Sequence, residues 1–174
     1  MELDLDKIID HSTLSLKAQL ATLPALEDQD VLDRFRVAFA KQREDISKEV
    51  YRCASMMRNI KELSSIQTAS LSLRQRLLED SHILMAQLYE IRKKYNQRRG
   101  VLFGNIVNNL QLRIKTLSEK DGIVDGDEEV LKIKMNIDLL GGQVEFYSDT
   151  IKTVDELIYG MRTRIDMEKL LGGG

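Results

Sequence analysis

From Val130 to Ile165, apolar residues recur at alternating steps of three and four positions. This C-terminal seam consists of Val130, Ile133, Ile137, Leu140, Val144, Tyr147, Ile151, Val154, Ile158, Met161 and Ile165. A spacing that averages three and a half residues keeps one face of a helix turned toward a partner helix, as in a coiled coil. We therefore expect a long C-terminal helix over 130–174 whose seam mediates self-association.

The residue types of the seam bear on how many helices meet there. With Val130 as heptad position a, every a residue is β-branched, the d residues are mixed, and flanking residues such as Asn136 and Gln143 are uncharged. Two-stranded coiled coils usually combine β-branched a residues with Leu at d and charged flanks. The pattern therefore indicates either more than two strands or a mixture of packing within and between chains.

Composition favours helices over strands throughout the chain. Aromatic residues make up 5% of the 174 residues, 31% are charged, and there is one Pro and no Trp. Strands recruit aromatic and β-branched residues, whereas long helices tolerate charge and exclude Pro. The predicted fold is all-α, an elongated antiparallel helical hairpin or bundle. Its predicted parts are an acidic N-terminal segment with a short helix (1–29), long helices (30–120), a loop (121–129) and the oligomerising C-terminal helix (130–174).

Breaks in the periodicity predict where the long helices begin and end. The first is expected over 30–63 and the second over 71–99. The two glycines of the stretch 100–104 predict a hinge, a helix break or a short extended piece before the helix resumes. Asp125 or Asp127 is expected to cap the last helix, because a carboxylate at that position accepts hydrogen bonds from free backbone N–H groups.

Charge is unevenly distributed, although the net charge is only −2. Residues 1–33 carry eight acids against two bases, whereas residues 90–115 carry seven bases against one acid. The densest group, here called the basic cluster, consists of Arg92, Lys93, Lys94, Arg98 and Arg99. These residues fall within about two helical turns, and such a density of positive charge favours phosphate binding.

Two interpretations of the basic cluster remain open from the sequence. Tyr95 lies between its members and has an aromatic ring on which a nucleic-acid base can stack, which favours nucleic-acid contact. Alternatively, the basic face balances acidic partners within a bundle, and Tyr95 belongs to the packing stripe of its helix.

Signals for enzymatic chemistry are weak. His11 and His82 do not form an i, i+4 ligand pair, and the sequence has neither a phosphate-binding glycine loop nor a nucleophile motif. Cys53 is the only cysteine, which excludes an internal disulfide and favours a reducing compartment. No apolar run approaches the ~20 residues of a membrane span. We expect a protein that is not an enzyme, holds no cofactor or metal, and is soluble and intracellular.

Three stretches carry a resemblance to a known family. They are LYEIRKKYNQRRGVLFGN (88–105), DGDEEVLKIKMNIDLL (125–140) and VEFYSDTIKTVDELIYGMRTRIDMEKLLGGG (144–174). The first is similar to a basic helix that leads into an aromatic pair and a glycine, and the other two are similar to the last helix, in the UvsY-like phage recombination mediators.

The resemblance implies an accessory factor that forms ring-like homo-oligomers through its C-terminal helices. Such proteins bind single-stranded DNA and help to load a strand-exchange recombinase onto strands covered by a single-strand-binding protein. It also implies that the DNA contacts are made by the basic cluster, while the C-terminal seam joins the copies. The second hypothesis is a structural coiled-coil assembly or adaptor protein that does not bind nucleic acid and docks an acidic protein on its basic face.

Overall fold

The computed structural model describes residues 29–57, 62–108 and 116–172, and these ranges form four α-helices. They are α1 (Gln29–Met56), α2 (Leu63–Asn108), α3 (Leu117–Asp125) and α4 (Glu128–Gly172). No strand occurs in this part of the chain, so the all-α prediction is confirmed. The short helix that was predicted within 1–29 lies outside the described residues.

Three long helices lie side by side, and contacts between them fix their directions. Arg74 of α2 is paired with Asp155 of α4, whereas Arg98, later in α2, is paired with Glu129, earlier in α4, so these helices are antiparallel. Helix α1 contacts α4 through Arg43 and Gln143 in its middle. At its end, the guanidinium of Arg164 donates to the carbonyl of Met57 at 2.7 Å. Helix α1 is therefore parallel to α4 and antiparallel to α2.

The apolar faces of α1, α2 and α4 meet in one hydrophobic core. Phe39 and Ile46 of α1 and Leu77 and Leu84 of α2 are buried there together with α4 residues such as Tyr147. Each fully buried side chain of this size contributes about 1.5–3 kcal/mol relative to an exposed one. The buried positions recur every seven residues on α1, every three or four on α2, and at steps of three to seven on α4. Because they run the length of each helix, the core extends along the bundle rather than forming a compact centre.

The C-terminal seam packs within the single chain. Its buried members are Val130, Leu140, Tyr147, Val154, Ile158 and Met161. Its partly buried members are Ile133, Ile137, Val144, Ile151 and Ile165. The a positions between 137 and 151 are less buried than the d positions, because the face of α4 that meets α1 and α2 is centred on d and also buries Asn136 and Gln143. Association of the seam between copies stays a prediction.

A polar layer crosses the core where α1 meets α4. The amide of Gln143 is fully buried; its oxygen accepts from Arg43 Nε at 2.6 Å, and its nitrogen donates to Gln42 Oε1 at 3.2 Å. The Arg43 guanidinium also lies over the ring of Phe146, 5.3 Å from its centroid. A register shift between α1 and α4 would leave these polar groups unpaired in the core, so the layer favours a single alignment of the two helices.

Several predicted boundaries differ from the structure. Helix α1 ends at Met56 instead of continuing to 63, and Leu63 begins α2. Helix α2 also continues through Gly100 and Gly104, so the predicted interruption is wrong. Two isolated glycines cost about 1 kcal/mol each relative to Ala, and Leu102, Phe103 and Ile106 beside them are still partly buried.

The connection before α4 is shorter than the predicted loop over 121–129, because α3 occupies its first half. Thr116 starts α3 with a capping box, in which its hydroxyl accepts from the Glu119 N–H and the Glu119 carboxylate accepts from the Thr116 N–H. Only Gly126 and Asp127 separate α3 from α4. The predicted capping by Asp127 is confirmed, since its Oδ1 accepts from the backbone N–H of Glu129 and of Val130 at 3.1 Å each.

Candidate nucleic-acid interface

The first half of the basic cluster lies on the solvent face of α2. Leu84 and Leu88 point into the core, and steps of three and four residues carry this packing stripe on to the partly buried Ile91 and Tyr95. Arg92, Lys93 and Lys94 fall between the positions of the stripe, so helical geometry directs them outward, and all three are exposed.

Arg92, Lys93 and Lys94 also make no ion pair within the part of the chain that the structure describes. None of the ion pairs or side-chain hydrogen bonds of the described residues involves them. Glu90 is the nearest acid in sequence, is exposed, and is likewise in no ion pair there. We call these three cations the exposed patch. It is held by a helix that continues for more than two turns on either side, which fixes the backbone positions of the three cations relative to one another.

The second half of the basic cluster, Arg98 and Arg99, forms ion pairs with carboxylates. Arg98 Nη2 lies 2.7 Å from Glu129 Oε2, and Arg98 Nε lies 3.8 Å from Asp127 Oδ1. Arg99 Nη2 lies 3.2 Å from Asp121 Oδ1 and 3.1 Å from Asp125 Oδ1. Arg98 and Arg99 follow Tyr95 by three and four residues, so they continue the packing stripe of α2. Both arginines are partly buried because α3 and α4 cover this part of the stripe.

The corner between α3 and α4 therefore has its own charge balance. Two guanidinium groups face four carboxylates, which leaves a local excess of negative charge rather than a site for phosphate. The structure thus divides the basic cluster into an exposed patch and an ion-paired corner. One of the two interpretations drawn from the sequence was that the basic face balances acids within the bundle. This interpretation fits Arg98 and Arg99, but it does not fit the exposed patch.

Tyr95 is not an open stacking surface. It is partly buried on the core side of α2, and the guanidinium carbon of Arg99 lies 5.7 Å from its ring centroid. Tyr89, which the sequence-based prediction overlooked, is 69% exposed one turn before the exposed patch. The signal for it was its spacing, because Tyr89 falls outside the packing stripe and precedes Arg92 and Lys93 by three and four residues.

The described residues were also searched for cavities, metal-binding groups, buried titratable side chains and membrane-spanning helices. Leu102, Ile106, Ile123 and Val124 line most of an open hollow of about 260 Å³ between α2 and α3. No group of three or more His, Cys, Asp or Glu residues in the described ranges is arranged to hold a metal ion. Burial raises the pKa of Tyr147, which lies in the core. Of the described helices, none is long and apolar enough to cross a bilayer.

The chain was compared with protein-family models, curated proteins and solved structures. None of these comparisons finds a match.

Proposed function

We propose that this protein is a non-enzymatic recombination mediator that binds single-stranded DNA through the exposed patch and works as a homo-oligomer. The observation that carries the proposal is the presence of three adjacent cations, exposed and without ion pairs among the described residues, on one rigid helix. Phosphate contacts of this kind bind without sequence preference, which suits a factor that must act along any strand.

Self-association supplies the strength that one patch lacks. Three phosphate contacts give weak binding at physiological salt, whereas several linked patches on one strand gain 10²–10⁴ in avidity. The apolar surface that remains for association on α4 consists chiefly of the exposed residues Met167, Leu170 and Leu171 near its end. The a residues Ile137, Val144 and Ile151 pack against the core and add only the part of their surface that stays exposed. The proposed partners are further copies of the chain.

The mediator role itself follows from the resemblance to the UvsY-like family. In that role the oligomer holds a strand that a single-strand-binding protein also covers, and a strand-exchange recombinase is then loaded onto it. The exposed patch supplies the contact with the strand. The recombinase and the single-strand-binding protein are proposed partners on the strength of the resemblance.

Neutralisation of the exposed patch tests the proposal. We expect the triple variant Arg92→Gln, Lys93→Gln, Lys94→Gln to lose about tenfold or more in affinity for oligothymidylate at low salt, because its phosphate contacts are gone. The matched control removes three other exposed cations, through Lys41→Gln, Arg52→Gln and Arg162→Gln, and keeps the affinity of the wild type. Equal binding by the wild type and the first variant would overturn the site. Circular dichroism and light scattering establish that both variants fold and assemble alike.

The second candidate function is a structural assembly or adaptor protein. The observation that favours it is the ion-paired corner, in which Arg98 and Arg99 already serve an internal role. A stable oligomer that binds no oligonucleotide even at low salt would support this function over the first.

A further inference from the structure

Tyr89 is a large aromatic side chain left in solvent beside the exposed patch. Its side chain is 69% exposed, and its ring is in none of the ring–ring or cation–ring contacts of the described residues. Arg92 and Lys93 follow it by three and four residues, so their Cβ atoms lie about 5–6 Å from its own on the same helix face. Packing does not explain the tyrosine, since Leu84 and Leu88 occupy the face of α2 that is in the core and Tyr89 lies outside that face.

An exposed aromatic ring next to cations matches the two parts of an unpaired nucleotide. Bases stack on aromatic rings in proteins that bind single strands, with little dependence on sequence because every base has a π-face. The phosphate of the same or the next nucleotide then meets a guanidinium or an ammonium group. Duplex DNA does not fit such a site in the same way, because its bases are already stacked on each other.

We infer that Tyr89 is the base-stacking residue of the exposed patch, and that the site takes an unpaired base on the Tyr89 ring while Arg92 and Lys93 hold the neighbouring phosphates. This inference rests on the proposed function and deepens it, because it adds selectivity for single strands to a site that is otherwise only cationic. Tyr89 takes the stacking role that the sequence suggested for Tyr95, because the ring of Tyr95 is partly buried and faces the Arg99 guanidinium.

Two probes separate stacking from charge. Oligothymidylate offers bases and phosphates, whereas inorganic polyphosphate offers the same kind of charge without a base. We expect Tyr89→Ala to weaken oligothymidylate binding by about 5-fold to 150-fold, the range for one stacked base, and to leave polyphosphate binding unchanged. Tyr89→Phe keeps the ring and binds both probes as the wild type does.

Two other exposed tyrosines serve as matched controls. Tyr51 and Tyr159 are 75% and 73% exposed, and they lie toward the opposite end of the bundle, near the contact between Met57 and Gly160. We expect Tyr51→Ala and Tyr159→Ala to bind both probes as the wild type does. All three alanine variants fold, since each removes only an exposed ring from a helix and introduces the best helix former.

The outcomes distinguish this inference from the proposed function. Wild-type affinity of Tyr89→Ala for oligothymidylate overturns the stacking role while the cationic site stands. An equal loss on both probes also overturns it, because the ring would then act through the charged groups. Failure of the wild type to bind either probe overturns the proposed function itself.

Discussion

The dependence of binding on salt reports how many cations of the basic cluster contact phosphate. Each contact with a single strand contributes about −0.7 to the slope of log K against log salt concentration. If only Arg92, Lys93 and Lys94 bind, we expect a slope of about −2; if Arg98 and Arg99 also leave their acids, the slope is about −3.5. Between about 50 and 200 mM salt, the affinity then falls about 18-fold in the first case and about 130-fold in the second.

The structure favours the smaller value. Each of Arg98 and Arg99 is in contact with two carboxylates, and a phosphate must displace these acids from a partly buried site whose local charge is already negative. The assay is fluorescence anisotropy with a labelled oligothymidylate short enough to cover one exposed patch, so that contacts from several copies do not add. Lys93→Gln should make the slope shallower by about 0.7, and Arg98→Gln should leave it unchanged.

Two results refute this reasoning. A slope near zero in the wild type means that phosphates are not bound by these cations at all. A slope near −3.5 that Arg98→Gln makes shallower means that the corner opens and that all five bases of the cluster contact the strand, as the resemblance implies.

Three further predictions follow from the same contacts. Glu90→Gln should raise oligothymidylate affinity about twofold to threefold in the anisotropy assay, because an exposed like charge near the phosphates is removed. Ile158→Asp should lower the free energy of unfolding in urea by about 3–5 kcal/mol, since it buries an unpaired carboxylate. Ile151 is only partly buried, so Ile151→Asp should lower the free energy of unfolding by less, and it should dissociate the oligomer in light scattering. Equal stability of the two variants contradicts the described core. A double-mutant cycle of Arg43→Leu and Gln143→Leu should show a coupling of about 1–3 kcal/mol in urea unfolding, and a coupling near zero means that the polar layer does not align α1 with α4.

The apolar period of the sequence was sufficient to predict the helices but not their partners. The seam from Val130 to Ile165 indicates that α4 faces another helix, and this is correct. A period of three and a half residues does not state whether that helix belongs to the same chain. The structure places α1 and α2 against the seam because Phe39, Leu77 and Leu84 have matching faces at compatible spacing.

The helix interruptions were predicted from single residues, and cooperative structure overrode them. Gly100 and Gly104 lower helix propensity locally, yet they lie within a helix of 46 residues that gains packing on both sides of them. The loop over 121–129 was predicted from its glycines and aspartates. The sequence signal for α3, a Thr three residues before a Glu at 116–119, was present but lay outside the residues considered for the loop.

Local spacing in the sequence could not predict that the basic cluster divides into an exposed patch and an ion-paired corner. Arg92 and Arg99 are seven residues apart and occupy similar positions in a heptad, so a charge count treats them alike. Their surroundings differ because the acids at 121–129 return to α2 only after the chain reverses. The sequence does show that the bases are followed by five acids within 121–129, but the pairing of those acids with Arg98 and Arg99 depends on that reversal of the chain.

Assembly and strand binding are thermodynamically linked in the proposed mechanism. Between Tyr89 and Lys94 three bases and Glu90 leave a net charge of only +2, so we expect one copy to hold a strand weakly and the affinity to depend on how many patches the strand meets. The seam is largely consumed inside each chain, which leaves only a modest apolar surface on α4 for contacts between copies. A coupling free energy acts equally in both directions. A strand that spans several patches therefore stabilises the oligomer by the same free energy that the oligomer contributes to holding the strand.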